Sequence, residues 1–158
     1  MDLALIYDPK LQAFDLAIDG TDLRAESSLA SAVMVSLMSD RLAESYEVNP
    51  GEDRRGWWAD AFAGNQHKTG SRLWLLQREK QLQGTVQRCR QYCEEALQWL
   101  IDDGLATTVG VTVFIPRMGW MAALIKVHLD DGARGFRFEF DEARQIWRLA
   151  GEGGINAA

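Results

Sequence analysis

The chain has 158 residues, 47% of them hydrophobic and 25% charged, which is the usage of one globular domain and excludes a disordered chain. Its 17 Lys and Arg against 23 Asp and Glu leave a net charge of -6, which speaks against free-standing nucleic-acid binding, since that needs many phosphate-neutralising cations. Six Trp, and a cation set of 13 Arg to 4 Lys, favour desolvated protein–protein contact instead: Trp carries large apolar area, while Arg pairs bidentately and is weakly hydrated.

In chain order, residues 1–10 lack a basic segment followed by an apolar run, so no signal peptide is expected. No apolar stretch approaches the ~20 residues of a membrane span. Residues 3–7 form a short apolar run closed by the turn signal Asp8-Pro9. Phe14, Leu16 and Ile18 alternate with Asp15, Ala17 and Asp19, which predicts a half-buried strand; Gly20 offers a turn, and Leu23 continues the meander. Ser27 or Ser28 caps a predicted helix running to about Ser39, with Leu29, Ala32, Val33, Ser36 and Leu37 on one face. Residues 45–71 lack a sustained period, and a loop of that length is usually functional or docked onto something.

Residues 72–81 read as a short helix, with Leu73, Leu76 and the stem of Lys80 at helical spacing. After Gly84 comes the clearest helix, striped by Val86, Cys89, Cys93, Ala96, Leu97, Leu100 and Ile101, and stopped at Asp102-Asp103-Gly104 with Gly104 as a left-handed cap. Cys89 and Cys93 fall one turn apart on a single face, poor spacing for a disulfide, and are expected to be reduced core residues. Residues 107–115 and 120–129 read as strands, and Asp130-Asp131-Gly132 as a hairpin turn. Phe136, Phe138 and Phe140 give one apolar face; residues 142–149 suit either a short helix or a further strand. The class is therefore α+β, with N-terminal short strands, two to three helices and a mainly antiparallel C-terminal sheet. One domain is expected over residues 1–150, with 151–158 a flexible tail.

Charge is uneven along the chain. Residues 1–60 hold 12 acids and 5 bases, residues 61–101 hold 3 and 6, and residues 102–158 hold 8 and 6. An acidic front and a basic middle can meet within the monomer or dock complementary neighbours.

No catalytic, cofactor or metal site is expected. Asp102-Asp103 and Asp130-Asp131 are tempting carboxylate pairs for a glycosidase, but adjacent acids at turns are usually solvated cap or hairpin chemistry. Lys68-Thr69 lies between glycines, yet His67 stands where a phosphate-cradling loop needs Gly. His67 and His128 are too isolated to join the cysteines in a metal site. Met34, Met38, Met118 and Met121 are expected in the core. The cluster Arg54-Arg55-Gly56-Trp57-Trp58 has two readings. In one, buried indoles pin the loop while the arginines pair with Glu52, Asp53 or Asp60. In the other, Arg and Trp form an assembly hot spot.

Three runs carry a resemblance: Leu37-Met38-Ser39-Asp40-Arg41-Leu42-Ala43, Asp53-Arg54-Arg55-Gly56-Trp57-Trp58-Ala59-Asp60 and Gly70-Ser71-Arg72-Leu73-Trp74-Leu75-Leu76. With the helix ending Ala96-Leu97-Gln98-Trp99-Leu100 and the strand residues 109–113, they resemble a small tail-protein family of Mu-like contractile phages, over about residues 15–129. The resemblance implies a baseplate wedge component, a distant counterpart of small wedge proteins once labelled lysozyme-like. Those proteins carry a Glu-Pro-Arg triplet before a core strand; the corresponding place here holds Asp102-Asp103-Gly104-Leu105, so no interaction built on that triplet carries over. What it implies is a non-enzymatic structural protein of the virion tail baseplate, assembled in the host cytoplasm. Its partners would be the larger baseplate wedge protein, the tail sheath and other baseplate subunits, with no nucleic acid and no membrane. The interface candidates are Arg54, Arg55, Trp57, Trp58, Asp60, Arg72 and Trp74. The rival from another class, suggested by the old label, is a peptidoglycan-cleaving tail enzyme.

Overall fold

In the computed structural model, the structure describes residues 2–3, 5–8, 13–16, 18–20, 22–23, 25–26, 28–62, 68–78 and 83–153. The alternating N-terminal segment forms short antiparallel pairings. β2 (Leu5–Asp8) lies against β3 (Ala13–Leu16), β4 (Ile18–Asp19) against β5 (Asp22–Leu23), and β1 (Asp2–Leu3) against β6 (Ala25–Glu26). Gly20, at φ +65, makes the turn between β4 and β5, as its lack of a Cβ permits. Two of the expected apolar positions face solvent, Leu16 at 37% and Ile18 at 74% exposed. Alternation predicts a two-faced strand, and a face is buried only where another layer covers it.

α1 (Ser28–Met38) buries Ala30, Val33, Met34 and Leu37. The expected face is present, with Val33, Ser36 and Leu37 buried, Leu29 packed on the core and Ala32 half-buried, and it is widened by Ala30, Ser31 and Met34. Small residues let α1 approach α2 (Gln83–Asp102), where the Trp99 indole donates to Ser36 Oγ at 2.9 Å. The stripe of α2 is as expected, with Cys89, Cys93, Leu97 and Leu100 almost wholly enclosed. Both cysteines are free, and the Cys93 thiol is pushed well up by its hydrogen bond with Cys89 and by burial. α2 ends in a Schellman motif: Gly104 sits at φ +71, its N–H bonds Ile101 O, and Leu105 N–H bonds Leu100 O. The expected helix at 72–81 is a 3-10 helix, Leu73–Arg78, that seats Leu73 and Leu76 in the core.

The C-terminal half is a four-stranded antiparallel meander in the order β10-β9-β8-β7. Its strands are β7 (Thr108–Arg117), β8 (Trp120–Leu129), β9 (Gly132–Asp141) and β10 (Ile146–Gly153). α2 covers the face on which Val111, Ile125 and Phe136 stand in register, followed by Met121, Phe140 and Trp147. Met118 is a correction to the core expected from sequence: it lies at the β7–β8 tip, 96% exposed. The 142–149 segment resolves as a turn followed by a strand, since Asp141 Oδ1 accepts the N–H groups of Ala143 and Arg144 and closes the turn. β10 then pairs with β9 as far as Gly153↔Gly135, so the sheet runs past residue 150; residues 154–158 lie outside the described residues.

On the outer face of the sheet, Glu139 accepts from Arg148 at 2.8 Å and from Arg137 at 3.0 Å, and its side chain is 13% exposed. These bonds, led by Arg148, hold its carboxyl below the usual carboxylate value. A lowered folded pKa gives stability that is present above the unfolded value, about 4.3, and is lost as pH falls through the folded one. Glu139→Gln is therefore expected to shrink the difference in stability between neutral and acid solution by up to about 1 kcal/mol. Urea midpoints at the two pH values check this, and an unchanged difference would show that the pairs contribute nothing.

Candidate assembly interface

The segment after α1 is extended and is held from two sides. Asp40 forms a parallel bridge with Ser71, Arg41 N–H donates to Ser71 O, and Ser71 N–H donates to Ser39 O, each at 2.9 Å. Ser71, 2% exposed, also donates from Oγ to Leu37 O at 2.6 Å. Gly70 permits this approach: at φ +92, a Cβ there would stand against the Ser39 carbonyl. On the other side, Ala43 N–H donates to Arg54 O, and Arg54 Nε returns a bond to Ala43 O at 2.7 Å.

Arg54 is thus turned inward as a staple. The next two residues are left-handed, Arg55 at φ 55 and Gly56 at φ 96, with Gly56 pressed against Leu42. Asp53 Oδ1 supports the turn by accepting Arg55 N–H at 2.8 Å. The chain is thereby directed outward into a 3-10 helix, Trp58–Phe62, none of whose residues is buried. Trp57, Trp58 and Phe62 are 54%, 74% and 81% exposed. Their rings form a ladder, with Trp57–Trp58 centroids at 6.2 Å and Trp58–Phe62 at 6.1 Å, edge-on.

The remaining candidates are framework. Asp60 accepts both the N–H and the hydroxyl of Thr69, at 2.7 and 2.8 Å, and so closes the loop base. Arg72 bridges Glu47 and Glu95, lies over the Tyr92 ring at 4.6 Å, and has a side chain only 13% exposed. Trp74 donates to Arg41 O at 3.0 Å, and the Arg55 guanidinium caps its ring at 4.5 Å while pairing with Asp40 at 2.7 Å. The seven candidates therefore divide. Arg55, Trp57 and Trp58 face solvent; Arg54, Asp60, Arg72 and Trp74 hold the loop in place. The reading in which two buried indoles pin the loop is overturned, because backbone bonds, Arg54 and Asp60 do the pinning. Sequence reasoning missed Phe62, whose spacing of four from Trp58 was the available signal, and Asp40, for which there was none.

The acidic front meets the basic middle within the monomer, at Lys68–Glu44 (2.6 Å) and Arg72–Glu47 (2.7 Å). The Lys68 hydrogen bond and charge hold the Glu44 carboxyl below its usual value. The acid pairs are exposed, Asp102-Asp103 where α2 ends and Asp130-Asp131 on the β8–β9 turn. Among the described residues, no three His, Cys, Asp or Glu gather as a metal site, and no helix is long and apolar enough to cross a membrane. His67 lies outside the described residues.

The family model described as Phage protein GP46 matches residues 29–134, from the start of α1 into β9, and so takes in all seven candidates. The chain belongs to the phage protein GP46 family. Two relatives agree. A baseplate protein gp46 of Escherichia phage Mu is 40% identical over 134 residues, covering 84% of this chain and 90% of that protein. A Mu-like prophage FluMu protein gp46 of Haemophilus influenzae is 39% identical over 119 residues, covering 75% and 82%. The resemblance to a Mu-like baseplate family carried by the Arg-Arg-Gly-Trp-Trp run and its neighbours is thereby shown. In this member of the GP46 family, that run is the point where the chain leaves its own framework and turns to solvent.

Proposed function

We propose that this chain is a structural, non-enzymatic component of a contractile-tail baseplate, one that joins the larger wedge protein and helps to start sheath assembly. The observation that carries the reading is the Trp57–Trp58–Phe62 ladder, solvent-facing yet set on a tightly pinned loop, in a chain whose phage Mu relative is a baseplate protein. Large aromatics left uncovered on a soluble chain are an aggregation hazard unless a partner covers them. Trp and Arg at the centre of an interface typically carry most of its energy. Arg55, whose guanidinium pairs with Asp40 and lies over Trp74, precedes the ladder in the chain and is its charged neighbour. A second contact is offered by β7, which among the described residues pairs on one side only and carries no charge from Thr108 to Pro116, so a partner strand can extend the sheet there. Placement in the virion tail, after assembly in the host cytoplasm, belongs to the same reading.

The test is co-elution of the purified chain with its wedge partner. Trp57→Ala and Trp58→Ala are each expected to weaken that complex by about 30-fold, corresponding to roughly 2 kcal/mol of hot-spot energy. Their melting temperatures should stay near the parent's, because neither indole is buried. Variants that fold and bind the partner as tightly as the parent would overturn the hot-spot assignment. Absence of any complex with the parent chain would overturn the wedge reading itself.

A further inference from the structure

The face of the sheet turned away from α2 holds, among the described residues, four cations and two carboxylates. Register places Arg117, Lys126, Arg137 and Arg148 there, with Glu139 and Asp141. The turn at 142–145 adds one group of each sign, Glu142 and Arg144. In a chain of net charge -6 this face therefore has the opposite sign.

The two signs also differ in what they offer a partner. Glu139 accepts from Arg137 and Arg148, Asp141 accepts from the 143–144 backbone, and both side chains are shielded. Arg137 and Arg148 keep almost half of each side chain in solvent. Arg117 and Lys126 have no carboxylate within ion-pair distance among the described residues. Trp120 positions two of the cations: the guanidiniums of Arg117 and Arg148 stand 4.2 and 4.8 Å from its ring centre. A ring contact fixes a guanidinium without cancelling its charge, and a guanidinium so held is ready for a carboxylate fork.

Arg117 pairs with Trp120, and Lys126 lies six residues farther along β8, so the cations span about 20 Å at ~3.4 Å per residue. The surface between them is low. Leu124 is half-buried, and beside Lys126 stands Gly110, where an added Cβ would meet nothing nearer than the Lys126 carbonyl at 3.9 Å.

We infer that this face docks an acidic, extended segment of a partner protein, about six residues long. Its carboxylates pair with Arg117, Lys126, Arg137 and Arg148, and their methylene stems lie on Leu124. Nucleic acid is the poorer occupant, because four cations set around two fixed carboxylates neutralise few phosphates and the chain as a whole repels a polyanion. The inference does not rest on the baseplate reading, and it uses neither the aromatic ladder nor the backbone edge of β7.

The test uses the full chain, labelled with nitrogen-15, and three capped hexapeptides: acetyl-(Glu-Ala)3-amide and its glutamine and lysine analogues. At low salt the glutamate peptide should move the backbone amides of Leu124, Lys126 and Arg137, and the other two should not. Raising the salt to about 0.3 M should weaken that binding severalfold. Arg117→Gln with Lys126→Gln should weaken it about tenfold while melting with the parent, since neither residue has an ion pair to lose. Glu139→Gln should tighten it, because the shielded carboxylate no longer offsets the arginines. No response to the glutamate peptide at low salt overturns the site, as does equal binding of the glutamine analogue or undiminished binding to the double variant. A thymidine hexanucleotide that binds more tightly than the glutamate peptide would overturn the protein partner. So would a dimer that the double variant dissolves, since the face would then belong to a second copy of this chain.

Discussion

Arg72→Met should destabilise the chain by about 3 kcal/mol, the scale for removing one partner from a shielded ion pair. The guanidinium is shared between Glu47, 11% exposed, and Glu95, 34% exposed, and it lies over Tyr92. Burial alone would push the Arg72 pKa down; the hydrogen bond to Glu95 and the charges of Glu95 and Glu47 outweigh it and hold the group above its usual value. Once Arg72 is removed, Glu95 still has Arg41 at 3.4 Å, but among the described residues Glu47 keeps only the Glu44 N–H and a long contact to the Tyr92 hydroxyl. A carboxylate that shielded with no cation is the costly product. Urea unfolding should show a lower midpoint with an unchanged slope, and the melting temperature should fall by about 6–12 °C. Arg72→Lys should recover only part of the loss, because an ammonium cannot fork between two carboxylates and stack on a ring. An unshifted midpoint in Arg72→Met would return Arg72 to the set of residues free for a partner.

Gly70→Ala should be at least as damaging. Left-handed φ alone costs a non-glycine residue roughly 1–2 kcal/mol. Here the new Cβ would also press on the Ser39 carbonyl and stand 2.8 Å from its carbon and 3.1 Å from Arg41 N, all backbone atoms that cannot rotate away. Relief requires opening the Asp40–Ser71 bridge, so the total is expected to exceed about 3 kcal/mol, on the scale of the severest single substitutions. Gly51→Ala is the internal control: its φ is +88, but nothing lies within 4 Å of the added carbon. It should lose about 1 kcal/mol from backbone strain alone. If the two variants melt together, close approach at Gly70 does not hold the loop.

What the sequence made legible was local. The apolar stripe of α2, its Gly104 stop, the β8 bounds and the Asp130-Asp131-Gly132 hairpin each follow from a period or a turn signal within a few residues. The buried face of α1 is wider than expected, taking in Ala30, Ser31 and Met34, because a stripe of small side chains scarcely distinguishes its neighbours by hydrophobicity. The site was legible in composition but not in role. Arg54, Arg55 and Arg72 look alike in the chain, yet Arg54 bonds a carbonyl 11 positions away and Arg72 a carboxylate 25 away, while Arg55 rests on a tryptophan at the surface. Residue type suggested an interface; only long-range partners could separate the side chains that hold the loop from those left exposed. Exposure of Met118 has the same origin, since the β7–β8 register shift that sets its tip depends on two strands at once.

The two-sided fastening of residues 39–43, to Ser71 on one flank and Arg54 on the other, bears on how tightly the exposed ladder can hold a partner. A slack loop would surrender backbone freedom on docking, at about 1–2 kcal/mol for each residue newly ordered. Residues 39–43 and 53–56 surrender it when the chain folds. What remains at the moment of contact is the rotamer freedom of Trp57, Trp58 and Phe62, about 0.5–1.5 kcal/mol for each side chain immobilised. A small aromatic surface can then be sufficient for a long-lived joint, because little of its contact energy is lost to ordering itself.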